Sequence, residues 1–153
     1  MNTETRLTEL GLTLPAPAAP VASYVPAVEA GGMLYISGQL PFLDGVLMTG
    51  KLGDAHSVEN GQAAAKACAL MLIAQIKKAL GSLDRVERIV KLGVFCASTP
   101  DFTDQPKVAN GASDLMEAVF GDAGKHARSA VSVPVLPLDA MVEIDAVVMV
   151  RAG

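Results

Sequence analysis

The sequence predicts an α+β fold in a single domain, a mixed β-sheet with two helices packed on one face. Three observations carry this. First, 153 residues suit one ordinary domain with its own core, and no internal repeat or linker splits the chain. Second, the hydrophobic periods read in order as hairpin, helix, strand, helix and two strands, which makes a helix-on-sheet layer. Third, 51% of the residues are apolar but only 4% are aromatic and none is tryptophan, so aliphatic side chains must supply nearly all the burial. That is more aliphatic material than a chain this size hides alone, and the sheet face away from the helices needs a partner.

Each element has a local reason. Residues 3–10 form a short helix closed by Gly11, and the run LPAPAAP at 14–20 cannot be helical, so it is an extended lead-in. Two β-type runs between Tyr24 and Pro41 flank Gly31-Gly32, a dipeptide suited to a tight hairpin. The glycine- and aspartate-punctuated stretch FLDGVLMTGKLGDAH suits a loop with one short strand at Val46, Leu47 and Met48. Ser57 caps a helix that runs without proline from Val58 to Leu80 and stops at Gly81. Its polar positions Gln62, Lys66 and Lys77 form one narrow stripe, so it is covered on more than one side. Val86, Val90, Leu92, Val94 and Cys96 repeat on even numbers, the period of a strand over 86–97. A second helix spans Asp101 to Gly121 with Pro106 in its first turn, and two strands follow at 127–133 and 141–150.

Composition narrows the function. The net charge is −4 and the 12 basic residues do not cluster, so a nucleic-acid partner is not expected. Cys68 and Cys96 lie inside apolar patterns and read as buried free thiols, and with only His56 and His126 beside them no metal site is expected. No apolar run is long enough to span a membrane and no apolar block follows Met1, so no membrane association is expected and the protein reads as cytoplasmic. The glycines match no phosphate-loop spacing.

The densest functional cluster is HARSAVSV at 126–133 followed by LDAMVEID at 138–145. Arg128 and Glu143 are 15 positions apart, and two neighbouring strands would set them close together, one as a carboxylate clamp and one as a general base or acid. On spacing alone, a structural ion pair or two independent surface charges is the simpler reading. His126 shares a strand face with Arg128 and is either a second acid/base group or a histidine at the surface end of a loop. Phe42 is one of few aromatics available to shape a pocket.

From Tyr24 onward the chain resembles the Rid proteins, the YjgF-like reactive-intermediate deaminases often labelled L-PSP endoribonucleases. The resemblance rests on ISGQLP at 36–41 after a hairpin, on LGSLDRVERIVKLGVF at 80–95 after an Ala-rich helix, and on ARSAV at 127–131 placed 15 residues before VEID at 142–145. It divides the chain into an N-terminal extension, residues 1–22, and a Rid-like domain, residues 23–153. It implies a chorismate-mutase-like fold, a homotrimer with a site in each cleft between subunits, and no cofactor. It further implies that Arg128 binds a substrate carboxylate, that Glu143 places and activates water, and that Tyr24, Ser37, Asn110 and Ala130 line the substrate. The implied reaction is hydrolysis of an enamine or imine of an amino acid to a 2-oxo acid and ammonia. Ala130 stands where family deaminases carry cysteine and His126 where proline or alanine is usual, which places the chain in a divergent branch. The competing readings are a non-catalytic trimer that binds a small carboxylate metabolite and, third, a ribonuclease.

Overall fold

Caps and turns set the elements, and the long-range pairing of the strands sets the site. In the computed structural model, which describes residues 2–20 and 22–153, helix α1 spans Thr3–Glu9, with Asn2 accepting from Thr5 N at its start. Met1 and Val21, both inside the expected extension, lie outside the described residues. Strands β1 (Ala27–Ala30) and β2 (Met33–Gln39) form the expected hairpin, and Gly31 and Gly32 take φ of 59° and 78° in its turn.

The next stretch differs from expectation. It holds two short strands, β3 (Phe42–Leu43) and β4 (Val46–Leu47), turned by Asp44-Gly45 at φ 51° and 79°. Asp-Gly is a hairpin signal in its own right, and the short flanking strands hid it. Helix α2 spans Val58–Leu80 with the Ser57 and Gly81 caps as read. Strand β5 spans Val86–Ala97. Helix α3 spans Gln105–Phe120 and starts later than Asp101, because the Asp101 carboxylate accepts from the Thr99 hydroxyl at 2.7 Å and Phe102 N closes a turn on Thr99 O. Strands β6 (Ala127–Val133) and β7 (Val142–Val150) complete the fold.

The main sheet runs β1-β2-β7-β5-β6, antiparallel except for the parallel pair β5 and β6, whose crossover is α3. Helices α2 and α3 cover one face. Leu34, Ile36, Leu92, Val94, Ile144 and Val148 point into that layer and are buried. The two helices pack closely where a side chain on Gly111 would strike the Gln62 carbonyl. α2 is buried along most of its length, as its narrow polar stripe implied. Cys68 and Cys96 are free and buried, and burial raises the Cys68 thiol well above its ordinary value and pushes the Cys96 thiol up to about 12, so neither is a nucleophile at neutral pH.

The opposite face carries Val28, Tyr35, Val131 and Met149, all close to half exposed, with no helix laid over them among the described residues. No helix among the described residues is long and apolar enough to cross a membrane.

Candidate functional site

Arg128 lies on β6, the edge strand of the sheet, opposite the buried Leu92 of β5. Its side chain therefore lies on the helix side and meets α3. Nη1 donates to Asn110 Oδ1 at 2.8 Å and to Ser113 Oγ at 3.0 Å, and Nη2 donates to the Pro106 carbonyl at 3.0 Å. All three acceptors are neutral, and among the described residues Arg128 forms no ion pair. The guanidinium is thus oriented without being neutralised, and its remaining N–H donors are left for an incoming anion. It borders a cleft of about 280 Å³ together with Ser113 and His126.

His126, half-buried just before β6, uses both ring nitrogens. Nδ1 lies 2.6 Å from the Gly124 carbonyl and Nε2 lies 2.9 Å from Ser113 Oγ. A carbonyl only accepts, so Nδ1 carries the hydrogen. In the neutral ring Nε2 then accepts from the Ser113 hydroxyl, which in turn accepts from Arg128. His126 therefore orients Arg128 through Ser113 and has no free nitrogen for acid/base work in this arrangement. Ser113 has no sequence signal, being one serine within a helix, 15 positions before the arginine, and it is part-buried there.

Glu143 sits elsewhere. On β7 the neighbours Val142 and Ile144 are buried under the helices, so Glu143 faces the open side, as does Asp145. A bulge in β2 between Ile36 and Gln39 shifts the alternation there: Gln39 turns inward and Gly38 comes against Glu143. A methyl group on Gly38 would stand 2.6 Å from Glu143 Oε2, so the missing side chain is the space the carboxylate occupies. Burial, and secondarily the charge of Asp145, raise the Glu143 pKa above the usual carboxylate range.

Around Glu143 opens a second cleft of about 440 Å³ that includes Tyr24, Phe42 and Leu138. Ser37 is tied down, its hydroxyl donating to the Val25 carbonyl at 2.9 Å, and it anchors the segment that carries Tyr24. Ala130 packs against the main core from β6, on the Arg128 side.

Arg128 and Glu143 are therefore not brought together within one chain. The neighbouring strands expected from their spacing are separated by β5, because β6 pairs parallel to the outer edge of β5 while β7 inserts between β5 and β2. The two side chains also leave opposite faces of the sheet. The chain carries two separate clusters: a cationic one of Arg128, Asn110, Ser113 and His126, and a carboxylate one of Glu143, Gly38, Tyr24 and Phe42. Among the described residues no three His, Cys, Asp or Glu side chains are grouped for a metal ion.

Comparison with known proteins gives a consistent family. The profile described as "YjgF/chorismate_mutase-like, putative endoribonuclease" matches residues 4–149. Protein TCP17 of Trypanosoma cruzi is 56% identical over 144 residues, covering 93% of this chain and 90% of that protein. A crystal structure from Shewanella oneidensis, described as a "putative endoribonuclease", superposes with a TM-score of 0.95 at 36% identity, over 98% of this chain and all of the other. RidA from an Antarctic Psychrobacter species superposes at 0.60 with 31% identity, over 88% of this chain and 94% of its own.

Proposed function

Because this chain belongs to the YjgF-like family that includes the Rid proteins, we propose that it hydrolyses 2-imino acids, or the enamines that tautomerise to them, at a site completed by a second copy of the chain. The observation that carries this reading is Arg128, a guanidinium held by three neutral oxygens and left without a carboxylate of its own.

A 2-imino acid offers one carboxylate and one electrophilic carbon. Arg128 takes the carboxylate and fixes the orientation of C2. The Glu143 carboxylate accepts a proton from water as the water oxygen bonds to C2, and the C=N electron pair moves to nitrogen. Glu143 returns that proton to nitrogen, giving a carbinolamine, then takes the carbinol O–H proton and passes it to the amine as the C–N bond breaks and C=O forms, so that ammonia leaves and a 2-oxo acid remains. A base with a raised pKa suits this two-way transfer near neutral pH. No redox step occurs, and the balance needs only water.

The separation of the two clusters supports an assembly in which Arg128 of one copy faces Glu143 of another. We infer a homotrimer closed over the bare sheet face, where Val28, Tyr35, Val131 and Met149 would be covered. A ribonuclease reading has less support: the net charge is −4, His126 is committed at both nitrogens, and 4% aromatic content leaves no base-stacking surface.

The test generates 2-imino acids with an amino-acid oxidase and follows release of the 2-oxo acid. Acceleration above the uncatalysed rate is expected. No acceleration with any amino acid, alongside saturable binding of a small carboxylate, would make the protein a binding module instead.

Gly38→Ala supplies a second check on the placement of Glu143. Gly38 has no left-handed backbone requirement, so the fold should survive, while the methyl group displaces the carboxylate. Turnover should fall about 100-fold for a displacement near 1 Å, with the thermal midpoint nearly unchanged.

A further inference from the structure

The residues ahead of the hairpin pack on the domain and reach the Glu143 cleft. Leu7 of α1 is buried, Arg6 Nε donates to the Ala118 carbonyl at 2.9 Å, and Leu83 N donates to Glu4 Oε1 at 3.1 Å. Beyond the helix, Leu12 and Leu14 pack against the main core. The run Pro15-Ala16-Pro17-Ala18-Ala19-Pro20 then passes beside α2 and the β3–β4 hairpin.

This strap is pinned at one point by two buried amides. Gln75 of α2 donates from Nε2 to the Ala18 carbonyl at 2.9 Å, and the same nitrogen lies 3.3 Å from Gln39 Oε1. Gln39 Nε2 donates in turn to the Ser37 carbonyl at 2.9 Å. At 2% and 6% exposure, Gln75 and Gln39 have no water to fall back on, so these bonds hold the strap to the strand end that opens at Gly38 for Glu143. Past the pin, Ala18, Ala19 and Pro20 form one side of the 440 Å³ cleft, facing Phe42 and Leu138.

We propose that this strap, residues 12–20, sets substrate choice: it walls the Glu143 cleft with carbon and makes the site select 2-imino acids with apolar side chains of leucine or methionine size. The inference rests on the deaminase reading and adds the substrate side chain to it. Apart from Glu143 and the Tyr24 hydroxyl, the described residues that line the cleft offer no free polar side chain, since the Gln39 amide is engaged with Ser37 and Gln75. A polar substrate side chain would lose water there without replacement, and an acidic one would also meet the Glu143 charge. Three prolines hold the wall extended in advance, so binding costs little further ordering.

The experiment compares imines generated in situ from leucine, alanine and glutamate, with the full chain and with Ala19→Phe. Ala19 is exposed, so the variant should fold, and a matching thermal midpoint checks that it does. Wild type should favour the leucine-derived imine over the alanine-derived one by about 10-fold or more in kcat/KM, with the glutamate-derived imine slowest. Ala19→Phe should cut the leucine-derived rate by about 10-fold and leave the alanine-derived rate within about 2-fold. Equal efficiency with leucine and alanine, or an equal loss for both in the variant, would overturn the strap's role and leave the deaminase reading standing. Failure to accelerate any of the three imines would overturn both.

Discussion

Arg128→Lys is expected to fold and to lose at least about 100-fold in kcat/KM for 2-imino acid hydrolysis, most of it in KM. The guanidinium does two things at once. It bonds Asn110, Ser113 and the Pro106 carbonyl, and it keeps further donors pointed outward. A lysine ammonium reproduces the charge without the planar fork, so the carboxylate is held by one point and C2 is free to turn. The folding cost should be small, about 1 kcal/mol, because the three acceptors lie at the edge of the sheet where water can replace the lost donors. A purely structural Arg128 would show the reverse pattern, lowered stability with turnover intact. Steady-state kinetics beside a denaturation curve separate the two.

Glu143→Gln should remove the base and lower kcat by about 100- to 10,000-fold with KM little changed. It should also make the protein slightly more stable at neutral pH. The folded-state pKa of Glu143 is raised by burial and then by the Asp145 charge, so the folded chain holds that proton more tightly than the unfolded chain does. The associated stability is complete below the ordinary carboxylate pKa and is lost as pH rises through the raised value. Near neutrality the charged form is penalised, and Gln relieves the penalty. Solvent reaches the group, so screening keeps the gain well below about 1 kcal/mol. The same shift places the acid limb of the wild-type kcat/KM profile above the usual carboxylate range. Asp145→Asn, by removing the neighbouring charge, should move that limb to lower pH. Melting curves of Glu143→Gln and wild type across the acid range, with the two pH–rate profiles, read out both signs.

Much of this fold is legible in the sequence because it is set locally. Ser57 and Gly81 bound α2, Gly31-Gly32 turns the first hairpin, and the alternation from Val86 to Cys96 marks β5. The sheet order is not local. The strands that carry Arg128 and Glu143 follow one another in sequence, and their spacing reads as two neighbours. The parallel pairing of β6 on the far side of β5 keeps those strands apart, and the register, with Arg128 beside Leu92 and Glu143 beside Phe95, sends the two side chains to opposite faces of the sheet. The same limit hid Ser113, which matters only because the fold lays α3 against Arg128. The lead-in at 14–20 was readable as extended from its prolines. Its contact with Gln75 and with the Glu143 cleft was not, since buried glutamines on an Ala-rich helix give no sign of what they hold. Family resemblance supplied roles for Arg128 and Glu143 that spacing alone did not, and with them the expectation of a shared cleft.

That shared cleft can be tested by mixing two proteins that are each nearly silent at low substrate. Arg128→Lys and Glu143→Gln chains are unfolded together, refolded as a mixture, and assayed at substrate well below the wild-type KM against each variant refolded alone. If the site joins Arg128 of one copy to Glu143 of another, random assembly gives about one quarter of the sites both native side chains, and activity should return to about a quarter of wild type. If the mixture stays as inactive as its parents while forming mixed oligomers, the two residues do not work across copies and the account is wrong.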